Sequence, residues 1–305
     1  MTWSTKYLSL KSDHKDFMPK IKSITCHEIL DSRGEWTVET TVTLEDGSEG
    51  VQPIPSGASK GENEAVYIPV PKAVEVVSTV INDALVGEEA EDQAALDKVL
   101  ISMDGTPNKR NLGGNSILGV SLGVSKAVAK FKGMELYEYL SVLHSGKKII
   151  PDELKFPTPV LNIINGGKHA SNGLSFQEFM IIPSPELVFN KQMEMGSSIY
   201  RDLKEILEKE GFETGVGDEG GFAPEGFTVE KALEFIKTAA SKNYSVGKDV
   251  FFGMDVAAES FFNGEEYEIP EQKLNLNQEA FLNFYSDLLK SSNLFISKIL
   301  STKKT

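Results

Sequence analysis

Four stretches of this chain carry residue types able to do chemistry. In residues 161–180, LNIINGGKHASNGLSFQEFM, an apolar run turns at Asn165-Gly166-Gly167. His169 follows on a polar loop, and Gln177 and Glu178 stand immediately before a second apolar run, Phe179-Met180-Ile181-Ile182. A histidine, an amide and a carboxylate therefore gather about the ends of two short strands. Imidazoles and carboxylates are the usual groups of general acid–base catalysis, and loops at the ends of buried strands are where α/β barrels hold their chemistry. By type alone, a histidine after Gly-Gly is more often a loop hydrogen-bonding group than a catalytic one, and a glutamate flanking an apolar strand is usually solvated. The second stretch, Gly215-Val216-Gly217-Asp218-Glu219-Gly220-Gly221, wedges two carboxylates among four glycines. Core packing does not explain that composition; a solvated turn and a cation-binding loop both do. In the third, Asp255 closes the apolar run 250–254. A carboxylate at the C-terminal end of a strand either caps the next turn or ligates a hard cation. In the fourth, Pro55-Ser56-Gly57-Ala58-Ser59-Lys60-Gly61, small residues and glycines make a closely approachable loop.

The elements that must position these groups read as two domains. Residues 21–30, 36–44 and 50–54 are short strands joined by turns at Asp31-Ser32-Arg33-Gly34 and Glu45-Asp46-Gly47-Ser48. Helical periodicity follows. Val74, Val77, Ile81 and Leu85 form one stripe, Leu96, Val99 and Leu100 another, and residues 115–131 carry apolar and small residues throughout, as a buried helix does. A sheet followed by helices is an α+β domain over residues 19–146. Residues 147–159, with three prolines, form a linker. Beyond it, apolar strands alternate with helices: one running to about Glu210 with Leu187 and Met195 on its apolar face, one from Thr228 as N-cap with Lys231 on its polar side, and one over 278–289. Residues 261–269 read as a hairpin about Asn263-Gly264.

Composition bounds the rest. The chain has 305 residues, 40% hydrophobic and 25% charged, with a net charge of −14. Such acidity excludes nucleic acid as a partner, since phosphate binding needs basic patches. No apolar run reaches the roughly 18 residues of a membrane-spanning helix, so no membrane role is expected. The single cysteine, Cys26, forms no internal disulfide and points to a reducing compartment. Residues 1–18 read as an N-terminal extension without the apolar centre of a signal peptide.

The loop 161–180 resembles the enolase family, and five further stretches agree in family order: DSRGEWTVE (31–39), PSGASKGENEA (55–65), NLGGNSILGVSLGVSKA (111–127), GVGDEGGFAP (215–224) and GMDVAAESFF (253–262). The resemblance implies an enolase-like α+β domain followed by a TIM-type barrel. It implies reversible dehydration of 2-phosphoglycerate to phosphoenolpyruvate in glycolysis and gluconeogenesis, by α-proton abstraction with an Mg²⁺-stabilised enediolate, in a cytoplasmic homodimer. Carried over position by position, Glu219 is the general acid and Glu178 supports it. Gln177 and His169 contact the substrate, Asp255 ligates one Mg²⁺ ion, and Ser59, on a closing lid, helps bind a second. An acid at Glu219 requires a pKa raised by burial and neighbouring carboxylates.

The resemblance weakens near residue 293. Where the family carries a glutamate ligand, the spacing brings Lys298, and no acidic residue follows Asp287. The family's base lysine, second lysine, last metal ligand and second histidine have no counterpart in the sequence. Residues 147–305 also fall well short of the roughly 250 of a complete (β/α)₈ barrel. The expectation is a C-terminally truncated, half-length barrel with an exposed edge that invites association. A catalytically inactive fragment acting as a binding or oligomerisation module is the competing reading.

Overall fold

The computed structural model describes residues 18–57, 64–147, 156–292 and 294–298. These divide into two compact units at Leu154/Lys155. Ser59 lies outside the described residues.

The first unit opens with strands β1 (Ile21–Leu30), β2 (Trp36–Leu44) and β3 (Glu49–Pro53), paired antiparallel in that order. Each connection is a short turn, which permits only an antiparallel return. Alternate residues of β2 (Val38, Thr40, Val42 and Leu44) are buried, so one sheet face needs a cover. The helices supply it: α1 (Val70–Val76) runs through a π-helical turn (Val77–Ile81) into α2 (Asn82–Leu85), and α3 (Gln93–Asp104), α4 (Gly114–Phe131) and α5 (Leu136–Ser145) follow. The stripe Val77, Ile81 and Leu85 is fully buried, whereas Val99 of the second expected stripe is 41% exposed. Helix α4 approaches β3 so closely that a Cβ built on Gly50 would stand 2.0 Å from the carbonyl oxygen of Gly123. The small residues along α4 are therefore packing devices.

The second unit contains β4 (Leu161–Asn165), β5 (Glu178–Pro183), α6 (Phe189–Lys209), α7 (Val229–Ser241), β6 (Val250–Asp255), the pair β7 (Tyr267–Ile269) and β8 (Leu274–Leu276), α8 (Gln278–Ser292) and β9 (Leu294–Lys298). Its sheet has the order β4-β5-β6-β9 and, among the described residues, does not close. The unit is an incomplete α/β barrel of mixed direction. β4 and β5 are antiparallel because only a loop joins them; β5 and β6 are antiparallel because the helix pair α6–α7 brings the chain back to the end it left; β6 and β9 are parallel through a crossover containing α8. The core includes Phe176, Phe179, Ile181, Leu203, Ile236 and Met254.

Three local expectations are corrected. Leu187 precedes α6, which begins at Phe189. Lys231 does not face a polar side: its Nζ lies 4.2 Å from the centroid of the Phe212 ring, with Phe227 and Phe235 close by, a cation–π arrangement that type-based reading of a helix face misses. The chain does turn back at Asn263-Gly264, where Phe262 and Tyr267 form an antiparallel bridge, but the ladder of this region extends beyond 269 and pairs β7 with β8 about Pro270–Gln272. Thr228 does cap α7, its side chain accepting from the Lys231 N–H.

Candidate active site

Strand direction places the chemistry. The end of β4, the start of β5 and the end of β6 share one edge of the sheet, and their terminal residues share one rung: Asn165 pairs with Glu178, and Glu178 with Asp255. On the same rung Asp255 pairs with Lys298 of β9. A one-residue slip of any strand would turn these side chains to the opposite face, so backbone register alone brings Glu178 and Asp255 side by side.

The Gly-rich loop is stitched to this edge. Phe222 bridges Ile164 and Val216. The Asp218 N–H donates to the carbonyl of His169 (3.0 Å), and the Gly221 N–H donates to Asn165 Oδ1 (2.8 Å). A Cβ on Gly217 would meet the His169 carbonyl oxygen at 2.5 Å and Asn165 Cβ at 2.8 Å, so the loop docks here only with glycine at that position. Tyr200 of α6 stacks on Phe222 and donates its hydroxyl to the Gly220 carbonyl (2.8 Å). Glu219 is thereby presented to the rung, with Asn162 Nδ2 donating to its Oε2 at 3.1 Å.

His169, Glu178 and Glu219 converge. His169 Nδ1 lies 3.6 Å from Glu178 Oε1 and 3.4 Å from Glu219 Oε1. Their side chains are 5%, 16% and 44% exposed respectively, a gradient from a buried imidazole to a solvent-facing carboxyl. Burial first, then the charge of Glu219 and a hydrogen bond with it, raise the Glu178 pKa from 4.5 to about 7; the charge of Asp255 acts in the same direction, and a hydrogen bond with Gln177 opposes it. Burial comes first among these causes, and Glu178 is the more buried of the two glutamates. Gln177 is buried, and its backbone N–H donates to the Asp255 carbonyl at 3.1 Å. Asp255 is 8% exposed and accepts from the Ala257 N–H at 3.1 Å. Burial and the Asp255 charge push the Tyr285 hydroxyl up to about 12.

The structure therefore brings His169, Gln177, Glu178, Glu219 and Asp255 to one end of one sheet, built from elements separated by long stretches of chain. Residues 21–140 match the family described as enolase, N-terminal domain, and residues 153–298 match that described as enolase, C-terminal TIM barrel domain. The chain belongs to the enolase family. The two matches correspond to the two structural units: the three-stranded sheet with its helices, and the incomplete barrel.

Two neighbours of this residue cluster escape sequence reading. Asn162 and Tyr200 anchor the loop that carries Glu219. A polar residue in the apolar run Leu161-Asn162-Ile163-Ile164 is a signal for the first; nothing in an amphipathic helix distinguishes Tyr200.

Among the described residues, no helix is long and apolar enough to cross a membrane.

Proposed function

We propose that this chain carries the acid side of an enolase active site, one that interconverts 2-phosphoglycerate and phosphoenolpyruvate. The observation that carries the reading is the carboxyl pair Glu178–Glu219 at the same strand ends as Asp255. Loss of a β-hydroxyl as water needs a proton donor that is still protonated near neutrality. A pair in which burial and mutual repulsion raise one pKa to about 7 holds such a proton. Glu178 stores it on the buried side, and Glu219, facing solvent and connected to Glu178 by a hydrogen bond, passes it to the leaving oxygen. His169 and Gln177 border the same space and orient the substrate's reacting end.

Magnesium fits Asp255 as a donor. It is a hard oxygen at a strand end, and magnesium takes one or two carboxylates and completes its shell with water and substrate oxygens. Asp255 would hold the ion, with Ser59 of the lid as the proposed donor to a second. When bound, magnesium stabilises negative charge gathering on the substrate carboxylate. The same reading implies a glycolytic, cytoplasmic enzyme and a homodimer.

A second reading rests on one observation. The rung neighbour of Asp255 is Lys298, a cation where the family resemblance implies a carboxylate ligand. On that reading the chain binds without turning over and acts as a binding or oligomerisation module. One assay separates the two: phosphoenolpyruvate formation from 2-phosphoglycerate by the purified chain with Mg²⁺, beside Glu219→Gln. The enzymatic reading predicts turnover that falls roughly 100-fold or more in the variant. Equal turnover in the variant would remove Glu219 from the acid role, and binding without turnover would establish the second reading.

A further inference from the structure

We propose that the first unit binds a small organic cation with a hydrocarbon body, an arylalkyl or branched alkyl ammonium ion, in a cavity between the segment 64–67 and helices α3 and α4. The cavity holds about 490 Å³, within the roughly 300–1,000 Å³ of small-ligand pockets. Its lining belongs wholly to the first unit. The site is therefore distinct from the strand-end cluster and stands whether or not the chain turns over 2-phosphoglycerate.

Apolar groups make most of the wall. Ala65, Tyr67, Ile101, Ile117 and Leu118 line it, and Ile101 and Leu118 remain 48% and 40% exposed. Two large aliphatic side chains from adjoining helices, lining one cavity, leave apolar surface that a hydrocarbon group would remove from water.

The wall is held in place by the fold. The Val66 N–H donates to the Asn108 carbonyl (2.7 Å), and the Gly114 N–H donates to the Val66 carbonyl (2.7 Å). The side chain of Asn115 is buried; its Nδ2 donates to the Ile68 carbonyl (3.0 Å), and its Oδ1 accepts from the Ile68 N–H (3.2 Å). A Cβ on Gly114 would meet the Tyr67 ring at 3.3 Å, so the ring lies against the start of α4. On the helical side, buried Gln93 ties α3 to α4. Its Nε2 donates to Asp97 Oδ1 (3.0 Å) and to the Ser121 carbonyl (3.1 Å), and its Oε1 accepts from the Ser125 hydroxyl (2.8 Å). Fixed walls reduce the ordering entropy that binding must overcome.

Charge gives the sign of the ligand. Among the described residues, the charged side chains on the lining are Glu64, Asp97 and Lys109. Lys109 Nζ donates to the Thr106 carbonyl at 3.4 Å. Two carboxylates against one ammonium leave the lining net negative. After burial, the charge of Glu64 holds the Tyr67 hydroxyl above its usual range, which places that carboxylate near the ring. A cation is drawn by the carboxylates and by the face of a tyrosine, whereas an anion meets net repulsion.

The test titrates three probes separately into the purified chain and follows ¹H–¹⁵N NMR spectra: phenethylamine; 3-phenylpropionate, with a similar body and the opposite charge; and methylammonium, with the charge and almost no body. The expected result is saturable movement of the Ala65, Ile101, Gly114 and Leu118 amide signals by phenethylamine. Its affinity should exceed that of 3-phenylpropionate by about threefold or more and that of methylammonium by about tenfold. Equal binding of phenethylamine and either control, preference for the anion, or movement confined to other amides would overturn the proposal. Asp97→Asn, which keeps an oxygen acceptor for Gln93, should weaken phenethylamine binding about two- to fivefold without weakening 3-phenylpropionate; equal loss for both probes would refute the charge assignment. The comparison of probes on the unsubstituted chain decides the case if that variant fails to fold.

Discussion

Glu178 shows how one side chain can be a stability cost at the place where the proposed reaction needs a proton. Its pKa is raised to about 7 in the folded chain, so the folded state holds the proton more tightly than the unfolded state does. Stability linked to this group is therefore complete below about 4.5, the unfolded value, and is lost as pH rises through about 7. The full shift corresponds to roughly 3 kcal/mol. Glu178→Gln should be about as stable as the parent at pH 4 and more stable at pH 8, by up to about 3 kcal/mol in denaturant titrations. A parent chain as stable at pH 8 as the variant would show that the repulsion is absent. Part of this was legible in the sequence: residue type alone left His169, Glu178 and Glu219 open, and the family resemblance singled them out. What was not legible is the raised pKa of Glu178, because it depends on burial, and burial differs between two glutamates that look alike in sequence. The roles of Asn162 and Tyr200 were not legible for a different reason: each acts on a loop far away in the chain, although Asn162 stands out as a polar residue in an apolar run.

Elements deliver these residues through register and close approach. Strand alternation, small-residue helices and the Thr228 cap were all readable, because local pattern decides them. The face presented by Lys231 was not, because three aromatic rings from Phe212, Phe227 and Phe235 outweigh the usual preference of lysine for solvent. Nor was the shared rung of Asn165, Glu178, Asp255 and Lys298, which requires knowing which strands run antiparallel. Close approach gives a sharp expectation in the first unit. Gly50→Ala places a methyl group where the Gly123 carbonyl stands, forcing α4 off β3. The expected cost is about 1–3 kcal/mol or more, read by thermal unfolding. Thr228→Ala should cost only about 1 kcal/mol, the usual value of one N-cap. If the Gly50 change proves as mild as the cap change, α4 and β3 do not pack as described.

At the scale of the molecule, each unit has its own core. One core draws on residues between Ile21 and Tyr139, the other on residues between Ile163 and Leu288. Phe179, at the centre of the second, is fully buried. Phe179→Ala should cost the second unit about 3–5 kcal/mol while amide-exchange protection of β1–β3 stays as it was; joint loss in both units would contradict separate cores. Two domains were legible from length and the proline-bearing linker, and the barrel-like second half from the resemblance to the enolase family. The mixed direction of the barrel's first strands was not, since loop length alone does not tell how a helix pair returns the chain. The acid pair depends on all three scales: the carboxyls themselves, the strand register and loop docking that join them, and the folded second unit. The most direct measurement is therefore a ¹³C NMR titration of the Glu178 side-chain carboxyl, in the parent chain and in Glu219→Gln. The expected midpoint is about 7 in the parent and clearly lower in the variant, where the repelling charge is gone. An ordinary carboxylate midpoint in the parent, or no change in the variant, would mean that these two glutamates do not form the proton-holding pair on which the functional reading rests.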